Sequence, residues 1–202
     1  MPTNAAEWDD KHRRNADGPG NEPSTILREL LPLLPLGPAL DLACGSGRNT
    51  LFLARRQPVT AVDRSSVGLE ILEKRARNLA LKVSRDRRIE AAKNGTLVVS
   101  LDLEDCELPV ETFSLVVCIH YLERGLFRKI ADALVPGGML LFEGYTKAQL
   151  EFFSGPRNPD YLLDDGELRI AFPELETTFY REIRAGQGIA SLLARKRTAA
   201  SR

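Results

Sequence analysis

The 202-residue chain carries 28 Lys+Arg against 28 Asp+Glu, so its formal charge is zero. That length suits one domain with a sizeable core, and the charge balance gives no global electrostatic reason for a nucleic-acid partner. No apolar run approaches the ~20 residues of a membrane helix.

Met1 to Arg14 is polar and holds three acids, so it reads as neither a secretory signal nor a transit peptide. Residues 3 to 14 predict a short helix around Trp8, and Asp17-Gly18-Pro19-Gly20-Asn21-Glu22-Pro23 breaks it. The segment 1–23 is expected to be either a lid or a mobile tail. Ser24 then stands as an N-cap before Ile26, Leu27, Leu30 and Leu31, which have helical spacing, and Pro32 and Pro35 end that helix.

Pro38 to Thr50 reads as a buried strand (Leu40, Leu42, Ala43), a glycine turn (Gly45, Gly47) and the start of a helix (Leu51, Phe52, Ala54). Such a turn brings free N–H groups and a bare backbone close to a ligand. Cys44 in that turn reads as a small packing residue. Val59-Thr60-Ala61-Val62 is a second strand, ending in Asp63 sixteen residues after Gly47. An acid at this place in a doubly wound sheet accepts hydrogen bonds from ribose hydroxyls. A dinucleotide fingerprint would need a third glycine where Thr50 stands, so the pattern favours a different adenosyl ligand.

Ser65 caps the next predicted helix, with Leu69, Leu72, Ala76 and Leu79 on its apolar face and Glu70–Lys74 and Glu73–Arg77 as favourable pairs. From Lys74 to Lys93 the chain is basic, opposed only by Asp86 and Glu90. This run reads as a solvated helix face and loop, or as a contact for RNA or an anionic substrate. No aromatic interleaves it, as base stacking would require.

Leu97–Leu101 is the third strand, with Asp102-Leu103 at its end, and Phe113–Ile119 is the fourth, with His120-Tyr121 just past it. Leu122, Leu126, Ile130 and Leu134 mark the following helix. Val135-Pro136-Gly137-Gly138 is a turn before the fifth strand, Met139–Glu143. Gly155 to Tyr161 is a proline-stiffened loop that carries Arg157. Residues 177–183 and 189–195 form a terminal hairpin about Gly186-Gln187-Gly188, and Thr198 to Arg202 is a frayed tail. Nothing divides the chain, so 1–202 is expected to be one domain. Three widely spaced cysteines point to free thiols in a reducing cytoplasm.

Leu40-Asp41-Leu42-Ala43-Cys44-Gly45-Ser46-Gly47 resembles the first motif of class I S-adenosylmethionine (SAM)-dependent methyltransferases. Asp63, Asp102 and the Pro-Gly-Gly turn follow in that family's order, so the resemblance covers roughly residues 24 to 197. Gly47-Arg48-Asn49-Thr50 and Gly155-Pro156-Arg157-Asn158-Pro159 look most like the small tellurite-resistance and thiopurine-type enzymes. One departure is Ser114, where the family usually has Asp. The resemblance implies an α/β, doubly wound, seven-stranded Rossmann-like sheet with an antiparallel last strand. It also implies a SAM site drawn from Asp41, Ala43, Gly45, Gly47, Asp63, Arg64, Asp102, Leu103 and Cys118.

Methyl transfer from an activated sulfonium demands mainly orientation, so no catalytic constellation need appear. His120 is the candidate base or orienting group, against a merely structural histidine, and Tyr121 is either a pocket wall or a core aromatic. Arg157 is the candidate clamp for an anionic acceptor, against a brace for its own loop, and Glu143 ranks behind both. Two histidines, His12 and His120, make no obvious metal site. The expected function is methylation of a small acceptor, an oxyanion or thiol. Methylation of RNA or protein through residues 74–93, and a SAM-binding module without turnover, are the alternatives.

Overall fold

Leu40 and Leu42 join one hydrophobic cluster while Ala39 joins another, because alternate residues of a strand face opposite ways. Both faces of the central strands are therefore apolar, as a parallel sheet covered on two sides requires. The computed structural model describes residues 4–15, 21–104, 106–153 and 155–198. The predicted break at Asp17 to Gly20 and the tail beyond Thr198 lie outside the described residues.

The chain runs α1 (Ala5–Arg14), α2 (Thr25–Leu30), β1 (Ala39–Leu42), α3 (Arg48–Leu53), β2 (Val59–Asp63), α4 (Ser66–Asn78), β3 (Val83–Asp86) and β4 (Thr96–Ser100). It continues through β5 (Phe113–Ile119), α5 (Leu126–Ala133), β6 (Leu134–Tyr145), α6 (Glu167–Ile170), β7 (Leu175–Ile183) and β8 (Ile189–Lys196). One sheet has the order β3-β4-β2-β1-β5-β6-β8-β7. All pairs from β3 to β6 are parallel, and β8 is antiparallel to both β6 and β7.

The fold is thus the doubly wound α/β sheet expected, with eight strands rather than seven. The added strand, β3, lies inside the basic run read as helix face and loop. Two of that run's arginines turn back on one acid: Arg77 Nη2 is 3.1 Å and Arg85 Nη2 2.7 Å from Glu73 carboxylate oxygens. The return from β3 to β4 is a loop tied to β2: Thr60 Oγ1 donates to the Glu90 carbonyl and accepts from Ala92 N.

Three local expectations need correction. Ser24 sits at the N-cap of α2 but makes no side-chain cap bond; instead its backbone N donates to Asn49 Oδ1 at 2.9 Å. Leu122 precedes α5, and Leu134 already belongs to β6. The Pro-Gly-Gly stretch lies inside β6, where the pairing with β5 shifts register between Phe113↔Leu134 and Leu115↔Met139. Ser65, by contrast, caps α4 as expected, its Oγ accepting from Gly68 N at 3.0 Å.

The winding reverses at β1, with β2 on one side and β5 on the other. The carboxyl ends of β1 and β5 therefore flank a crevice, the place where ligands bind in open α/β sheets.

Candidate active site

A cavity of about 690 Å³ opens over that crevice. Its floor is the β1–α3 turn, with Ala43, Gly45 and Gly47 in the left-handed region at φ 53°, 55° and 82°. Gly47 has no room for a side chain, since a β-carbon would collide with Leu72 of α4. A β-carbon on Gly45 would meet His12 Cε1 at 3.0 Å. Glycine at these two positions thus serves both the turn and the close approach.

Asp63, at the end of β2, anchors the turn. Its Oδ2 accepts from Gly45 N at 2.7 Å and its Oδ1 from Ser65 N at 2.8 Å. Burial pushes its carboxyl up, and those backbone donors hold it partly down. The Arg64 backbone N–H also donates to this carboxylate, and of its about four acceptor sites one remains for a ligand hydroxyl. At the end of β4, Asp102 Oδ2 lies 2.7 Å from Arg64 Nη2, and Leu103 is buried beside it.

Above this floor lies α1, which presents Trp8, Lys11 and His12 to the cavity, joined by the Asn15 that follows the helix. Trp8 stacks on His12 with ring centroids 5.9 Å apart. Asp9 fastens the helix to the start of α4: its Oδ1 accepts from Ser65 Oγ at 2.6 Å and from Val67 N at 3.1 Å. Burial works to raise the Asp9 carboxyl, but these hydrogen bonds outweigh it and hold it below its usual range. Burial lowers the His12 imidazole, partly offset by the Asp63 carboxylate.

The other end of the cavity is lined by side-chain heads. His120 follows β5 with φ 62°, a conformation uncommon for a residue with a side chain. Its backbone N donates to the Glu143 carbonyl at 2.7 Å, its Nε2 lies 3.4 Å from Glu143 Oε1, and its ring stacks on Tyr145 at 4.8 Å. Arg48, the first residue of α3, brings Nη2 to 3.3 Å from His120 Nδ1.

Of the residues singled out from sequence, Ala43, Gly45, Asp63, Arg64, Asp102, Leu103, His120 and Tyr121 line this cavity. Asp41, Gly47 and Cys118 do not. Asp41 is only 2% exposed and accepts from Thr50 Oγ1 at 2.6 Å, bracing α3 from below. Burial lifts its carboxyl to about 7, against the hydrogen bond from Thr50. Burial likewise pushes the Cys118 thiol up. Arg157 also stands outside the lining. It is exposed, and its guanidinium donates to the carbonyls of Phe152 and Leu150 in its own loop. Sequence reasoning missed Arg48 and Tyr145 as wall residues. Arg48 lies next to the glycine motif, and Tyr145 is two residues from Glu143, hence on the same face of β6.

The donor set suits an adenosyl ligand. Backbone and an acid at the ends of β1 and β2 fit a ribose, and the Asp102–Leu103 pair fits an exocyclic amine and a ring face. Glycine leaves the turn bare where such a ligand passes.

Residues 39–138 match the family described as "Methyltransferase domain". No curated protein sequence matches the chain. Among solved structures, TehB from Haemophilus influenzae is 16% identical with a TM-score of 0.69, covering 94% of this chain and 67% of that one. An S-adenosylmethionine-dependent methyltransferase from Mesorhizobium loti is 18% identical with a TM-score of 0.65, covering 90% and 100%. The N-methyltransferase NodS from Bradyrhizobium japonicum is 16% identical with a TM-score of 0.62, covering 92% and 96%. Residues 39–138 thus resemble a methyltransferase domain, and the chain shares the Rossmann-like fold of these solved structures.

Proposed function

We propose that this enzyme methylates a small-molecule acceptor, an oxyanion or thiol, seated between Arg48, His120 and Tyr145, with SAM held by Gly45, Asp63, Arg64, Asp102 and Leu103. When bound, SAM supplies an electrophilic methyl group on a positively charged sulfur. The observation that carries the reading is the composition of the cavity's far wall. A guanidinium with no ion-pair partner among the described residues stands there beside an imidazole and a phenol. Such a wall binds a small anion by charge-assisted hydrogen bonds. Helix α1 serves as the lid that closes on SAM, with Asp9 as its latch. The enzyme works in the cytoplasm as a single domain spanning 1–202. Likeness to tellurite- and thiopurine-type enzymes guides the choice of acceptors.

Isothermal titration with SAM, S-adenosylhomocysteine and NAD tests the cofactor. Binding of both adenosyl ligands and not of NAD is expected, and binding of NAD alone would sink the reading. Incubation with tellurite, selenite and small thiols, with methyl products read by mass spectrometry, tests the acceptor. The RNA alternative is disfavoured by β3, which takes the basic run to the sheet edge, four places from β5. Neutralising Arg85, Arg87 and Arg88 together should leave turnover intact. SAM binding without any methylated product would instead favour a non-catalytic module.

A further inference from the structure

Glu143 touches His120 twice, once by its carbonyl and once by its carboxylate. The register of three strands produces this. Ile119 of β5 pairs with Glu143 of β6, which pairs in turn with Ser191 of β8. Ser191 Oγ donates to Glu143 Oε2 at 2.7 Å, which fixes the carboxylate and leaves Oε1 for the imidazole. Glu143 is 7% exposed and Ser191 fully buried, so the pair is shielded from water. His120 Nε2 is itself buried and makes no hydrogen bond of good geometry, its nearest acid being that Oε1. Hydrogen bonds of catalytic groups are often long before substrate binds and tighten afterwards.

We infer that Glu143 positions His120 as a general base, so that the acceptor is a protic nucleophile, a thiol or hydroxyl, that also carries an anionic group for Arg48. This rests on the methyl-transfer reading and narrows its substrate class. The carboxylate takes the Nε2–H, which leaves the Nδ1 lone pair facing the cavity. Arg48 Nη2 occupies that lone pair in the free protein. A bound acceptor replaces it there, while the guanidinium turns to the acceptor's own anion. The acceptor S–H or O–H bond then breaks and its proton goes to Nδ1. The electron pair stays on the heteroatom and forms the bond to the methyl carbon as that carbon's bond to sulfur breaks, leaving neutral S-adenosylhomocysteine. Glu143 balances the imidazolium, and Tyr145 holds the ring plane by stacking. Among the described residues, the charged and titratable groups facing His120 are Arg48 from α3, Glu143 and Tyr145 from β6, and Tyr121 beside it in the chain.

The first readout needs no turnover. With two histidines in the sequence, heteronuclear NMR of the imidazole nitrogens resolves His120, and His120→Asn assigns it. The neutral ring is expected to carry its proton on Nε2, and Glu143→Gln should weaken that preference. The second readout is turnover of mercaptoacetate and thiosalicylate, protic acceptors bearing a carboxylate, against iodide, which has no proton to lose. On the thiols, His120→Asn should cost about 10²–10⁴-fold in kcat. Glu143→Gln should cost about 10–100-fold, with KM nearly unchanged and the acid limb of the pH–rate profile displaced. On iodide neither variant should matter. A neutral ring protonated on Nδ1, or His120→Asn turning over the thiols as fast as wild type, overturns the assignment alone. Failure to bind SAM and S-adenosylhomocysteine overturns methyl transfer, and this assignment with it.

Discussion

At the cofactor end of the cavity the polar groups are backbone N–H and carboxylates set at the ends of β1, β2 and β4. At the acceptor end they are long side-chain heads from α3, β5 and β6 that touch one another. The first end is fixed by where the strands stop, and a change there acts on the backbone. The second is fixed by register across β5, β6 and β8, and a change there acts on chemistry while the fold stands. Substitutions at the cofactor end should therefore move stability or SAM affinity, whereas those at His120 and Glu143 should move turnover.

The largest expected effect is at Gly47. Gly47→Ala adds a β-carbon at φ 82° against Leu72, a strain and overpacking cost of about 2–4 kcal/mol, read as a lower Tm. Preserved Tm would mean that the turn tolerates a side chain, and the cofactor end would then not be a backbone device. Next is Asp63→Ala, which removes the carboxylate that anchors Gly45 N and lines the cavity. SAM affinity should weaken by about 1–3 kcal/mol in a folded protein, and unchanged affinity by titration would take Asp63 out of the site.

Asp41, beneath the turn, gives a pH test. Its carboxyl is raised in the fold from 3.8 to about 7. The folded state thus binds more protons than the unfolded chain between those values. The stability this group contributes is present below 3.8 and lost as pH rises through about 7. Asp41→Asn should remove that loss, gaining on the order of 2 kcal/mol over wild type above neutrality and little in acid. Parallel denaturation curves of the two proteins from acid to neutral pH would refute it. The smallest effect belongs to α1, the proposed lid. Asp9→Ala releases α1 from α4 at the loss of contacts worth about 0.5–1.5 kcal/mol, seen as faster SAM release in stopped-flow with the core Tm unmoved.

The glycine turn and the acid that anchors it were legible in the sequence because their demands are local: a turn that needs positive φ calls for glycine, and Asp63 closes on it from the next strand end. The acceptor end was half legible. His120 announced itself by following an apolar strand, but its partners lie 72 residues upstream and 23 downstream at Arg48 and Glu143, and only strand register joins them. Arg157 misled because a proline-rich loop with a cation resembles a clamp. The carbonyls of Leu150 and Phe152, left over at the end of a short 3-10 turn, were the nearer acceptors. β3 was hidden because Val83-Ser84-Arg85-Asp86 holds one apolar residue. The open edge of β4 recruited it, a tertiary effect that propensity does not carry.

That short strand has a bearing on how the protein behaves in a crowded solution. A bare edge offers unpaired N–H and C=O groups on which another molecule can build. Here the outermost strand is four residues long, three of them exposed, with Arg85 and Asp86 within it and Arg87 and Arg88 directly after. At the opposite margin β7 carries Glu176, Arg181 and Glu182. A second copy approaching either margin edge-on meets its own charges and must strip water from them. Charged residues at a sheet edge oppose edge-to-edge pairing, so replacing Arg85, Arg87 and Arg88 together should raise the apparent size of the protein in light scattering, and an unchanged size would sink the idea.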